Sequence, residues 1–200
     1  MSRPRGFDRD RVVRGARALF WRRGYEGASV PELEEATGLG RSSIYNAFGS
    51  KRGLFDAAVE SYLSEVVRPR LRPLTEDPVD PAALSDYLDG LGGVLARVDS
   101  MPGTNGCLLI NAAGSPISRD PGVADLIARY RDELQAAIAR GVDAALVDVS
   151  RARRERLAET ITALVVAALA LVRVAPEQAR HTLAVAGSLL AEAQGSELPS

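Results

Sequence analysis

Between residues 24 and 51 the chain is broken so often, and capped so well, that only short helices joined by tight turns fit there. Gly24 ends a first run in which Val12, Ala16, Leu19 and Phe20 recur at helical spacing. Asp8 is a good N-cap for that helix, with Phe7 and Val12 placed as a hydrophobic staple. Ser29-Val-Pro-Glu32 reads as a capping box with proline in the first turn, opening a second helix that runs through Ala36. Gly38-Leu-Gly40 stops it, Arg41 to Phe48 forms a short third helix, and Gly49-Ser50 breaks the chain again. Helix, glycine-containing turn and second short helix make a helix-turn-helix unit. Leu33, Ala36, Leu39, Ile44 and Phe48 have the spacing to pack both helices onto the first.

The remainder also reads as helical. A fourth helix is expected from Lys51 to about Val67, and Pro69, Pro73, Pro78 and Pro81 mark a bend or boundary after it. Pro81 to Val98 has a helical pattern weakened by Gly90, Gly92 and Gly93, which mark a pocket wall, a kink or a loop. Ser100 to Asn105 reads as a loop and Cys107 to Ala113 as a short helix. A long helix starts at Asp120-Pro121 and reaches about Val147, another spans Arg151 to Val174, and Pro176 opens a last one to about Gln194. Strand signals are absent and aromatics make up only 5% of a composition rich in Ala and Leu, so the fold class is all-α.

Net charge is −1, but it divides unevenly: residues 1–72 carry +5 and residues 73–200 carry −6. A basic head on an acidic body suits a nucleic-acid partner. The longest apolar stretch, Ile161 to Val172, is shorter than the roughly 20 residues a membrane span needs. The charged N-terminus lacks a signal-peptide core, so no membrane association and a cytoplasmic location are expected. Cys107 is the only cysteine and His181 the only histidine, which rules out an internal disulfide and a metal site of several His or Cys ligands. No nucleophile elbow accompanies His181, and Asp89-Gly-Leu-Gly-Gly93 neither follows a strand nor carries a P-loop lysine. No catalytic residue, metal or cofactor is expected.

Phe20-Trp-Arg-Arg-Gly-Tyr-Glu-Gly-Ala-Ser-Val30, Ala36-Thr-Gly-Leu-Gly40 and Ser43-Ile-Tyr-Asn-Ala-Phe-Gly-Ser-Lys51 together resemble the DNA-binding signature of TetR-family regulators. The likeness covers about fifty residues; Ser29 stands where Thr is usual, and Arg52-Gly53 replaces an acidic residue and its neighbour. It implies a three-helix DNA-binding head over residues 1–53. The fourth helix leads from it into an effector-binding and dimerisation body over residues 54–200. Arg41, Ser42, Ser43, Tyr45 and Asn46 fall at the start and outer face of the third helix. From there Arg41 suits guanine O6 and N7, and Asn46 suits adenine N7 and N6. By resemblance, Tyr45 meets the DNA backbone and Lys51 meets phosphate at the head of the fourth helix. Ser29, at the cap of the second helix, completes the DNA-facing set. Arg3 and Arg5 form either a minor-groove arm or a basic tail with nonspecific attraction.

For the body, the resemblance implies a homodimer through the last two helices, with Leu164, Ala168, Leu171, Leu183, Ala186 and Leu190 as interface residues. It also implies a small-molecule effector in a cavity of the middle helices. Tyr87, Leu91, Leu95, Met101, Leu108, Asn111, Tyr130 and Leu134 are plausible lining, though each suits ordinary core equally, and their few charges favour a largely apolar ligand. Cys107 either packs as a small hydrophobe or serves as an electrophile or redox sensor. The function implied is a dimeric repressor released from palindromic double-stranded operator DNA by a ligand. The alternatives are that sensor, or a helical adaptor without sequence-specific DNA binding.

Overall fold

The structure, a computed structural model, describes residues 7–195, so Arg3 and Arg5 lie outside the described residues. Every regular element among the described residues is helical. Helix α1 spans Arg9–Gly27 and starts at Asp8, whose carboxylate accepts the Arg11 N–H at 3.1 Å. It carries a break at Gly24 (φ 73°), where the apolar run stops. Helix α2 (Val30–Thr37) has both halves of the expected capping box: Glu32 N–H donates to Ser29 Oγ, and Ser29 N–H donates to Glu32 Oε2 at 2.9 Å. Helix α3 covers Arg41–Phe48 and α4 covers Lys51–Tyr62, the latter capped by Ser50 Oγ accepting from Gly53 N–H. The expected border at residue 53 falls inside α4, which passes from head to body without a loop.

Two backbone expectations change. The fourth helix does not end near Val67: a π turn (Leu63–Val67) leads into α5 (Arg68–Leu71) and a final 3₁₀ turn (Arg72–Leu74). Pro69 has no N–H to give and its ring would crowd the carbonyl of the preceding turn. The wider π turn removes that conflict, so the proline sits in the first turn of the next helical segment. Ser100–Asn105 is not a loop either. Met101–Asn105 forms α7, because Ser100 Oγ accepts from Gly103 N–H at 3.0 Å and Pro102 suits a first turn.

Helix α6 (Ala83–Leu95) keeps Gly90, Gly92 and Gly93 in helical register, which removes the kink and loop readings. A Cβ added at any of the three would meet no heavy atom of another element within 4 Å, so these glycines border open space. Gly93 is exposed; Gly93→Ala is therefore expected to raise unfolding stability by up to ~1 kcal/mol through helix propensity alone, read as a higher denaturation midpoint with an unchanged slope.

Helix α8 (Leu108–Ala113) is followed by a 3₁₀ turn at Pro116–Arg119 and by α9 (Pro121–Ala145), α10 (Arg151–Leu171) and α11 (Pro176–Gly195). Helices α10 and α11 pack on each other, with α9 against α10 and α6 against α11. The head sits on this bundle through α1, which packs on α4, α7 and α8. Phe20 meets Phe55 edge to face at 5.2 Å between ring centres, and Arg17 donates to the Ser61 carbonyl and the Glu65 carboxylate. Burial alone would raise the Glu65 pKa, but the hydrogen bonds from Arg17 and Ser61 hold it below the usual carboxylate range. Arg52, on α4, bridges to Asp120 at the cap of α9.

Candidate nucleic-acid interface and interior cavity

Helices α2 and α3 are held at a fixed angle by their turn. Gly38 adopts a left-handed conformation (φ 69°) that returns its N–H to the Glu34 carbonyl at 2.9 Å. Thr37 is buried, donating to the Leu33 carbonyl and accepting from Leu39 N–H. Ile44 is the inward anchor of α3, only 2% exposed. Phe48 closes the same face with the Arg9 guanidinium 4.5 Å above its ring.

With Ile44 turned inward, Arg41, Ser42, Ser43 and Asn46 are exposed and Tyr45 is half-buried. The Arg41 guanidinium lies 5.5 Å from the Tyr45 ring centre, and the Glu34 carboxylate accepts the Arg41 N–H at the start of α3. Lys51 stands at the head of α4 with its ammonium 4.6 Å from the Tyr25 ring centre. Partial burial lowers its pKa, opposed by the carboxylates of Glu26 and Glu32. Ser29 is exposed, with its hydroxyl engaged in the α2 cap. The structure thus brings the α3 residues onto one polar face, with Lys51 and Ser29 at adjacent helix starts. Arg9 belongs beside them, since its guanidinium also reaches the Ala47 carbonyl of α3. Charge spacing on α1 gave no sign of this, because the contact depends on how α1 crosses α3.

Four of the residues expected to line a body cavity do meet. Tyr87, Leu91, Tyr130 and Leu134 enclose a space of about 30 Å³ together with Tyr62, Arg70 and Leu169. Cys107 is fully buried beside it, its thiol donating to Tyr130 Oη at 3.5 Å and within hydrogen-bonding reach of Tyr62. Burial keeps the Tyr62, Tyr87 and Tyr130 phenols well above their usual pKa, so all three stay protonated. Leu95, Met101, Leu108 and Asn111 are not on this wall. Leu108 and Asn111 border a separate cleft beside Phe20, and the Asn111 amide donates to the Asn105 carbonyl at 2.7 Å. Helical spacing gave these residues an apolar face without saying which neighbour that face meets.

The same ambiguity affects the expected interface. Ala168, Leu183, Ala186 and Leu190 are at most 4% exposed, buried within the chain between α10, α11 and their neighbours, so they are not free to meet a partner. Leu164 and Leu171 remain half-buried on the outer side of α10. Among the described residues no group of three His, Cys, Asp or Glu side chains is placed to hold a metal, and no helix is long and apolar enough to cross a membrane.

Residues 12–58 match the family model for "Bacterial regulatory proteins, tetR family". The chain is 33% identical over 122 residues to the HTH-type transcriptional repressor ComR of Escherichia coli (strain K12), a match covering 60% of this chain and 56% of ComR. It is 32% identical over 142 residues to the HTH-type transcriptional regulator YezE of Bacillus subtilis (strain 168), covering 71% and 72% of the two chains. Among solved structures, the TetR family transcriptional regulator CifR, a cysteine mutant complexed with 26-bp double-strand operator DNA, superposes with a TM-score of 0.73 at 33% identity. That superposition covers 94% of this chain and 98% of CifR. Likeness of this extent, over a head whose third helix presents a polar face and a body with the same arrangement of helices, makes the chain a member of the TetR family, a transcription regulator and not an enzyme.

Proposed function

We propose that the protein is a homodimeric repressor that reads a palindromic operator with α3 and is released by a small molecule held in its body. The observation that carries the first half is the polar face of α3, with Arg41, Ser42, Ser43 and Asn46 exposed and Tyr45 half-buried, on a helix fixed from behind by Ile44. Such a helix fits a major groove about 12 Å wide. Lys51, Arg9 and the start of α2 at Ser29 supply positioning contacts to phosphate. CifR's complex with operator DNA supports this reading by analogy.

The outer side of α10 supports the dimer. Ala163, Leu164, Ala167, Ala170 and Leu171 recur every three or four residues without being fully buried, and Val185 and Leu189 of α11 are likewise not fully buried. This apolar stripe matches the need of a two-fold four-helix contact. Two-fold symmetry sets the paired α3 helices about 34–36 Å apart or at a multiple of that.

Release has a physical route. Tyr62 forms part of the cavity wall and meets Trp21 of α1 edge to face at 4.8 Å. The Trp21 indole N–H donates to the Gly106 carbonyl at 3.0 Å. A ligand that displaces Tyr62 therefore acts on the helix that carries α2 and α3, and operator affinity falls by its differential binding to the two head positions.

Selection of duplexes from a random library tests the proposal. A recovered palindrome bound by two chains is the expected result, with binding lost in a Leu164→Glu/Leu171→Glu variant that sediments as a monomer. Uniform, steeply salt-dependent binding without an enriched sequence would leave only an electrostatic DNA binder.

A further inference from the structure

Helix α5 carries three arginines in five residues together with its neighbouring turn, and they are not equivalent. Arg68 pairs with Glu60 at 2.9 Å and Glu133 at 3.3 Å, and Arg72 pairs with Glu76 at 3.1 Å. Arg70 is half-buried, yet among the described residues no carboxylate lies within ion-pair distance of it and no acceptor takes its protons. It lines two adjoining spaces. One is the inner cavity of about 30 Å³; the other is an open groove of about 470 Å³ between α5 and α6. Arg70, Tyr87 and Leu91 are common to both.

A guanidinium is charged at any working pH and presents planar donors that match a carboxylate. Inward of it stand phenols that burial keeps protonated, which adds further O–H donors and no negative charge. A cation is repelled from this junction, and a neutral ligand leaves the guanidinium unpaired. The groove itself is largely apolar, walled by Pro69, Pro73, Ala83, Leu91 and Val94, and Gly90 leaves room on its floor, since a Cβ placed there would meet nothing within 4 Å. Asp80 and Asp86 lie on the exposed rim, where Asp80 accepts the Ala82 N–H at 2.8 Å. Their charge opposes a second anionic group at the mouth and disfavours a head larger or more highly charged than a carboxylate.

We propose that the effector is a monocarboxylate amphiphile, its head bound by Arg70 at the junction of the two spaces and its apolar body lying along the groove toward Val94. This rests on the ligand-responsive reading above and names the chemical class of its ligand.

The test is titration calorimetry on the full-length protein without DNA, using octanoate, 1-octanol, octylammonium and acetate as probes. Octanoate is expected to bind at least tenfold more tightly than 1-octanol or acetate, with no binding of octylammonium. Arg70→Gln should remove the preference for octanoate over the alcohol, and Arg70→Lys should keep part of it. Gly90→Leu, at a helical position with open space, should weaken both octanoate and the alcohol while circular dichroism stays unchanged. Equal affinity for acid and alcohol, a preference that survives Arg70→Gln, acetate as tight as octanoate, or no binding by any probe would each overturn the inference. Operator release is then scored separately. Arg70-dependent binding that leaves operator affinity unchanged would sink the switch and keep the ligand class. Release by the alcohol or the ammonium would keep the switch and sink the class.

Discussion

Arg41→Ala and Asn46→Ala are each expected to weaken binding to the selected operator by roughly thirty-fold to twenty-thousand-fold, while binding to unrelated duplex changes little. The range follows from about 1–3 kcal/mol per well-formed side-chain contact to a base, counted once in each half-site of a palindrome. Both side chains are exposed, and the interior anchor of their helix is Ile44, so their loss should leave the fold intact. Lys51→Ala provides the contrast. A phosphate contact carries no sequence information, so this variant should weaken specific and nonspecific binding alike and flatten the salt dependence. Competition gel shifts with operator and scrambled duplex separate the two patterns. Equal losses on both duplexes for Arg41→Ala would move that residue from base reading to backbone positioning.

The second large effect is expected at Gly106, where the head is tied to the body. Its backbone has φ 66° and ψ −132°, a region that side-chain-bearing residues avoid. A Cβ there would also run into the Leu169 carbonyl of α10, and backbone cannot rotate aside as a side chain can. Strain of about 1–3 kcal/mol and overpacking of about 1–3 kcal/mol together put the cost of Gly106→Ala at roughly 2–6 kcal/mol. That is a large part of the ~5–15 kcal/mol by which domains of this kind are stable. Denaturant unfolding should show a lower midpoint, and because Gly106 accepts the Trp21 indole N–H, Trp21 fluorescence in the native baseline should shift as well. A midpoint within experimental error of the parent would contradict this account of the α7–α8 turn.

Much of the head was legible because its signals are local. Ser29 with Glu32 announces one helix start, and Gly38 supplies the left-handed residue that a tight turn needs. The alternation of Ile44 and Phe48 with polar neighbours separates the inner and outer faces of α3. The body was legible as helices but not as faces. Leu183, Ala186 and Leu190 form an apolar stripe that fits a partner as well as it fits α6 and α10, and the chain uses it internally. Nothing local in α4 connects Tyr62 to Tyr87, Tyr130 and Cys107, which arrive from three other elements. Pro69 was misleading for a different reason. Sequence rules assign proline to helix ends, whereas here a π turn absorbs it within one continuous run of helical turns.

Methylation interference on the selected operator tests the central claim most directly, because dimethyl sulfate marks guanine N7 in the major groove and adenine N3 in the minor groove. Two clusters of blocking guanine N7 positions are predicted, one in each half-site and separated by one helical turn, about 34–36 Å, or a multiple of it. At least one blocking guanine in each cluster should become neutral with Arg41→Ala. A single cluster, interference confined to adenine N3, or a guanine pattern indifferent to Arg41 would contradict a pair of α3 helices reading successive major grooves.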